Sequence, residues 1–288
     1  MRTLNQIELR VQLLSGSILN PRMNGPTFRA LLGQDRPLIG TIVGIPSLEN
    51  VEILSRVGFD WLFVDLEHSA ISTGFAQNIL QVAGNRVHVV ARLANGSELE
   101  IKRALDIGCD GVIVPFVNTR GDAEQAVRFS KYPPMGTRSV GVARAHGYGP
   151  GFKEYVDSAN ETTALIVQIE HRDGVSNLEE ILEVKGIDAV LIGPYDLSAS
   201  MNLMGQVSHP DVQAAIGRIR EACKDRRIPY GLFGVTSDAC QSELEQGAGF
   251  VIVGVDSIHL HNGAAASLRP LADWVSTHGQ TYRAQRNK

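Results

Sequence analysis

The sequence predicts an α/β protein folded as a single closed (β/α)8 TIM barrel. Short apolar runs rich in β-branched residues alternate with amphipathic stretches from about residue 37 onward. That is the pattern of a parallel sheet with helical crossovers. Eight strand–helix units follow one another, and eight units in about 250 residues is the size of a closed barrel. The runs themselves are nearly continuous in apolar residues, as strands buried on both faces require. A doubly wound open sheet is the alternative. No Gly-x-Gly-x-x-Gly follows a first strand and no Gly-Lys-Ser/Thr loop occurs, so dinucleotide and P-loop readings have little support.

The elements can be justified in order. Residues 1–25 have weak periodicity and are set apart as an N-terminal extension; residues 26–280 form the barrel and 281–288 a polar tail. Thr27 to Leu32 reads as a helix entered through Pro26. Pro37 to Ile45 is the first strand. Ser47 caps a helix over Leu48 to Val57, ended by Gly58. Trp61 to Asp65 is the second strand, and Ser72 to Val82 its helix. Val87 to Leu93 is the third, with Arg92 at its end, and Ser97 caps the helix that Gly108 closes. Gly111 to Val117 and Asp122 to Ser130 are the fourth strand and helix. From Tyr132 to Glu161 the chain turns rich in Gly, Pro and Arg, which predicts a long functional loop, a lid or substrate cover. Thr163 to Glu170 and Ile187 to Asp196 are the fifth and sixth strands, separated by a helix over Leu178 to Val184. His209-Pro210-Asp211 opens a helix to Arg226. Pro229 to Val235, Ser237 to Gln246, Phe250 to Asp256 and a last helix over Ala264 to Thr277 complete the pattern.

Bulk properties exclude several function classes. Of 288 residues, 43% are hydrophobic and 20% charged, with a net charge of -4, as in an ordinary soluble domain. No basic block suggests nucleic-acid binding. No apolar run approaches the roughly 20 residues of a membrane span. The N-terminus lacks a signal-peptide core, and Glu8 with little Ser argues against a presequence despite Arg2, Arg10 and Arg22. The expected location is the cytoplasm. Cys109, Cys223 and Cys240 have no metal-type spacing and read as reduced, buried thiols.

Barrel chemistry sits at the C-terminal ends of strands. There the sequence places Asp65, Glu67 and His68; Arg92; Gln168 and Glu170; Gly193, Pro194 and Asp196; and Asp256. If the fifth and sixth strands are neighbours, about 4.8 Å apart, Glu170 and Asp196 share one rim. Two carboxylates there repel unless a cation lies between them. A hard divalent ion such as Mg²⁺ suits such a pair. It would bind a 2-oxo acid through its carboxylate and keto oxygens and polarise the carbonyl. Arg92 would stabilise the enolate oxygen. Histidine changes charge near neutral pH, which makes His68 the natural proton acceptor. Lys102 falls inside a helix, and Lys131, Lys153 and Lys185 in loops or helix ends, so Schiff-base chemistry is disfavoured.

Each residue also has a plainer role. Asp65, Glu67, Asp196 and Asp256 could cap helices. His68 could be a packing histidine, Arg92 an internal ion pair, and Glu170 a partner of Arg172. His259 and His261 alternate, but at a helix entry they would not share a face.

The run Phe59-Asp60-Trp61-Leu62-Phe63-Val64-Asp65-Leu66-Glu67-His68 resembles the signature strand of the HpcH/HpaI aldolases. So do Pro133-Pro134-Met135-Gly136-Thr137-Arg138-Ser139, Gln168-Ile169-Glu170, Gly193-Pro194-Tyr195-Asp196-Leu197-Ser198-Ala199 and Val253-Gly254-Val255-Asp256. The similarity extends in order from about Arg29 to Trp274. It implies a metal-dependent pyruvate aldolase, with Mg²⁺, Mn²⁺ or Co²⁺ on Glu170 and Asp196. It implies Arg92 on the keto or enolate oxygen, His68 as base through a water, and Asp65 and Asp106 supporting the histidine and the proton path. The backbone from Gly193 through Pro194 and Tyr195 to Asp196, with Gln168, would bind substrate. Tyr195 is bulkier than the small residue some members carry. Aldehyde specificity would lie in the loop around Arg138 to Gly151. The family's barrels exchange their last helix between subunits, usually in hexamers built as trimers of dimers. The expected reaction is cleavage of a 4-hydroxy-2-oxo acid to pyruvate and an aldehyde. The alternatives are oxaloacetate decarboxylation, or macrophomate-synthase-like enolate chemistry, and a non-catalytic binding barrel.

Overall fold

A computed structural model of the chain describes residues 25–286. The N-terminal extension, residue 25 apart, and the last two residues of the tail lie outside them. Eight parallel strands close into a barrel, each bonded to the next and β8 to β1. The strands are β1 (Leu38–Val43), β2 (Trp61–Asp65), β3 (His88–Arg92), β4 (Gly111–Val114), β5 (Ala164–Ile169), β6 (Ala189–Ile192), β7 (Tyr230–Gly234) and β8 (Phe250–Val255).

A short helix α1 (Phe28–Leu32) packs beneath the barrel, where Phe28 lies against the Trp61 ring. Trp61, Phe63 and Phe250 fill the floor. Gly40 in β1 makes room for that tryptophan: a Cβ there would come within 2.5 Å of the indole. The outward strand faces form a second core with the surrounding helices.

The helix starts follow local chemistry. Ser47, Ser72 and Ser97 accept from the amides of Asn50, Phe75 and Glu100, opening α2 (Leu48–Val57), α3 (Thr73–Ala83) and α4 (Glu98–Asp106). Thr119 and Asp122 form a capping box for α5 (Arg120–Ser130), two residues earlier than expected.

The expected lid is different in kind and in place. It contains a single 3₁₀ turn at Arg144–His146 and a helix, α6 (Phe152–Thr162). It connects the end of α5 to the start of β5, so both of its ends lie at the N-terminal rim, away from the strand ends where a barrel's site forms. Its contacts stay there. Arg138 pairs with Asp106 at the end of α4, Arg144 Nη1 donates to Ile107 O at 2.9 Å, and Lys131 Nζ donates to Thr163 O at 3.0 Å. Covering its own site would require a connection leaving a strand's C-terminus.

The helices beyond β5 are α7 (Arg172–Ser176), α8 (Leu178–Leu182), α9 (Pro194–Ser200), α10 (Pro210–Arg226) and α11 (Ser237–Glu245). The sixth strand stops at Ile192, and Pro194 begins α9. Proline suits a first helical position because it lacks the N–H that would go unpaired there, and this moves Asp196 from a strand end into a first helical turn. The last helix, α12 (Asp256–Arg286), starts directly after β8 and runs through most of the expected tail.

Candidate active site

Register brings the first two residues together. Asp65 and Arg92 end β2 and β3 as directly paired partners. The arginine grips the carboxylate with two bonds, Nε to Oδ1 at 3.0 Å and Nη2 to Oδ2 at 2.7 Å. Glu67 Oε2 lies 3.3 Å from Arg92 Nε and 3.8 Å from His68 Nε2. Arg92 therefore does form an internal ion pair, and that pair fixes its aim. Burial works against its charge, but the bonds and attraction from Asp65 hold its pKa above the usual value. Burial likewise opposes the charge of Asp65, and Arg92 outweighs it, keeping the carboxylate below its ordinary range. Asp65 Oδ1 also accepts the amides of Glu67 and His68, which shapes the turn carrying them. His68 is 65% exposed, so it is no packing histidine.

The second group comes from β5 and β6. Gly193 N donates to Ile169 O at 3.1 Å, so Glu170 and Gly193 stand at adjoining strand ends. Gly193 must be glycine, because a Cβ would meet Glu170 Oε2 at 2.7 Å. Glu170 is buried, and its oxygens accept neutral N–H groups: Phe116 N to Oε1 at 3.0 Å, and Gln168 Nε2 to Oε2. Burial pushes this carboxyl up to about 7, with Asp196 and Glu67 adding repulsion. It does not pair with Arg172, whose closest carboxylate is that of Asp173.

A cavity of about 420 Å³ at this rim is lined by Asp65, His68, Arg92, Gln168 and the whole Gly193–Asp196 segment. Phe63, Phe233, Leu191 and Ile252 make its apolar side. Gly44, Ile45, Phe233 and Val255 also follow or end strands; the strand-end rule locates them as well, once applied to uncharged residues. Asp256 opens α12 and accepts from Gly44 N, Ile45 N and Asn50 Nδ2, tying that wall to β8. His259 bonds Thr41 and does not meet His261 at a shared metal site.

Asp106 is not in this group. It ends α4 at the opposite rim, and its Oδ1 accepts from Arg138 Nη2 at 2.6 Å.

The donors fit a hard divalent cation. Gln168 Oε1 is buried without a hydrogen-bond partner, and Glu170 is a buried carboxyl whose two N–H donors do not offset the burial of its charge. Among the described residues no three His, Cys, Asp or Glu side chains form a ready cage. Two carboxylates completed by water and substrate oxygens are the Mg²⁺-like arrangement.

The fold is a (β/α)8 barrel with its candidate site at the C-terminal rim. The family model for HpcH/HpaI aldolase/citrate lyase matches residues 46–263, and the chain belongs to that family. It is a carbon–carbon lyase, of a class that uses a divalent metal. A hydroxypyruvate/pyruvate aldolase of Roseobacter denitrificans is 37% identical over 239 residues, 82% of this chain and 93% of that protein. A 4-hydroxy-2-oxo-heptane-1,7-dioate aldolase of Escherichia coli is 38% identical over 243 residues, 83% and 92% of the two chains. A family structure from Burkholderia cenocepacia superimposes with a TM-score of 0.81 at 31% identity, over 84% of this chain and 97% of that one.

Proposed function

We propose that this chain cleaves a 4-hydroxy-2-oxo acid to pyruvate and an aldehyde, and catalyses the reverse addition. The observation that carries this reading is one cavity lined by His68, Arg92, Gln168 and Asp196, with Glu170 buried beside Gly193. Glu170 and Asp196 would hold a divalent ion, Mg²⁺, Mn²⁺ or Co²⁺, which supplies Lewis-acid polarisation of the keto group when bound. The backbone of Gly193 to Asp196 receives the substrate carboxylate. The Asp65 grip uses Nε and Nη2 of Arg92 and leaves Nη1 for the keto oxygen. His68, standing at the mouth, takes the C4 hydroxyl proton through a water. As the C3–C4 bond breaks, the aldehyde leaves and the electron pair moves onto the pyruvate enolate, whose oxygen Arg92 stabilises. Protonation at C3 completes pyruvate.

The resemblance assigns Asp106 to the proton path. Within one chain it lies at the far rim, so that role requires the N-terminal rim of a second copy to face His68. A homo-oligomer is the reading that supplies it. The exposed Leu260, Leu268, Leu271 and Trp274 of α12 suit an exchanged-helix contact. Mixing His68→Ala with Asp106→Asn subunits tests this: regained activity supports shared sites, and a mixture no better than its parts rejects them.

The reaction itself is tested by pyruvate release from several 4-hydroxy-2-oxo acids, before and after EDTA and metal readdition. Release that EDTA abolishes and metal restores supports the aldolase. Metal-dependent action on oxaloacetate alone would move the function to decarboxylation.

A further inference from the structure

Phe116 follows β4 at the catalytic rim, and its backbone is strained. Its φ is +51°, the left-handed region that large side chains avoid. The residue is 46% exposed and makes no part of either core, so core packing does not explain the strain. Strain of this kind persists where something else requires it.

The neighbouring hydrogen bonds show what does. Regular pairing of β4 with β5 ends at Val114, opposite Val167. Pro115 has no N–H to donate. Val117 then rejoins the sheet by donating to Gln168 O at 3.2 Å. Between those points the chain bulges, and the Phe116 amide turns inward to donate to Glu170 Oε1 at 3.0 Å. Gln168 Nε2 holds the other oxygen. Glu170 is thus fixed at both oxygens, in a space that Gly193 keeps open.

We infer that the left-handed Phe116 amide is a positioning device that presets Glu170 for the divalent cation. The inference rests on the reading of Glu170 as a metal ligand. It concerns the backbone and not the ring, which makes it separable by substitution. Glycine adopts a left-handed φ without penalty, and asparagine does so readily. Valine, branched at Cβ, disfavours it strongly. The device therefore survives in Phe116→Gly and Phe116→Asn and fails in Phe116→Val.

The test is calorimetric titration of Mn²⁺ into the metal-stripped full-length protein and these three variants. Thermal melting confirms that each is folded. Loss of a group that orients a metal ligand typically weakens binding about 10- to 100-fold. We expect Phe116→Val to bind Mn²⁺ at least about 10-fold more weakly, with Phe116→Gly and Phe116→Asn staying close to wild type. Equal weakening in all three would assign the effect to the lost ring and overturn the inference, as would unchanged affinity in all three. Should Phe116→Val unfold, Phe116→Ile and Phe116→Thr provide the same contrast against glycine. If the wild-type protein itself binds no divalent ion, the assignment of Glu170 fails first, and that result is distinct from any pattern among the variants.

Discussion

At the C-terminal rim Arg92 pairs with Asp65; at the N-terminal rim Arg138 pairs with Asp106. The two pairs are chemically alike, and both arginines are largely or wholly buried. Their surroundings differ. Arg92 stacks on Phe63 with its guanidinium in the cavity wall, and Glu67 and His68 stand close by. Arg138 has no solvent-exposed side-chain surface. It lies 4.5 Å from the Tyr132 ring centroid and 5.5 Å from that of Tyr155, and its Nε has no partner. Within one chain, one pair lines the cavity and the other joins a loop to the underside of the barrel, where the proposed role of Asp106 would need a second copy. An arginine–aspartate pair is therefore no mark of chemistry by itself. Within a single chain, the difference lies in position along the barrel axis and in the cavity beside Arg92.

Four substitutions sharpen that contrast, beginning with the largest effect. Glu170→Gln removes a charged oxygen from the rim. Losing Lewis-acid help worth several kcal/mol lowers cleavage about 1000-fold, read as pyruvate release under saturating metal. The same change stabilises the metal-free protein above neutral pH. The unfolded carboxyl ionises from about 4.5 and the folded one only near 7, so folded protein holds the extra proton between them. Stability contributed by that proton is lost as pH rises through 7. Glutamine carries no such penalty, and melting at pH 8 checks it.

Arg92→Lys is next. A lysine offers one point charge where the site uses a planar fork, so cleavage falls about 100-fold although the charge is kept. Arg138→Ala strands Asp106 and empties the space between two tyrosines. Breaking a buried pair in this way costs about 3–5 kcal/mol, measured by denaturant unfolding. The contrast breaks if Arg92→Lys turns out only to destabilise and leaves the cleavage rate of folded protein intact.

The smallest effect is at His146, buried in the same underside cluster. Burial holds its pKa below the usual 6.5, and its Nδ1 accepts the Ala143 amide at 3.3 Å. The unfolded chain takes up its proton near 6.5 and the folded chain only lower. The unfolded state therefore binds more protons in that window, and stability falls as pH drops below 6.5. Wild type should lose more melting temperature between pH 7.5 and 5.5 than His146→Gln does.

Much of this was legible in the sequence. The alternating apolar runs gave the barrel, since strands enclosed on both faces have few polar interruptions. Ser47, Ser72 and Ser97 marked helix starts because their hydroxyls answer unpaired amides. Asp65, His68, Arg92 and Gln168 are expected from their place at or just past strand ends, and one cavity touches all four. Three things were hidden. Gly, Pro and Arg between Tyr132 and Glu161 disguised α6, and a loop's length does not tell which rim it covers. The apolar run ending in Ile192 suggests a strand continuing to Asp196, although proline at 194 also opens a helix. Phe116 is invisible in sequence, because propensity puts glycine or asparagine in a left-handed position and the fold forces a phenylalanine into it.

The proposed chemistry rests on His68, which stands exposed at the mouth of the cavity. Pyruvate release by His68→Ala, measured with metal restored and melting temperature matched to wild type, tests it most directly. We expect kcat to fall about 100- to 10,000-fold, the contribution of a general base. A wild-type rate from the folded variant would contradict the proposed chemistry of this rim.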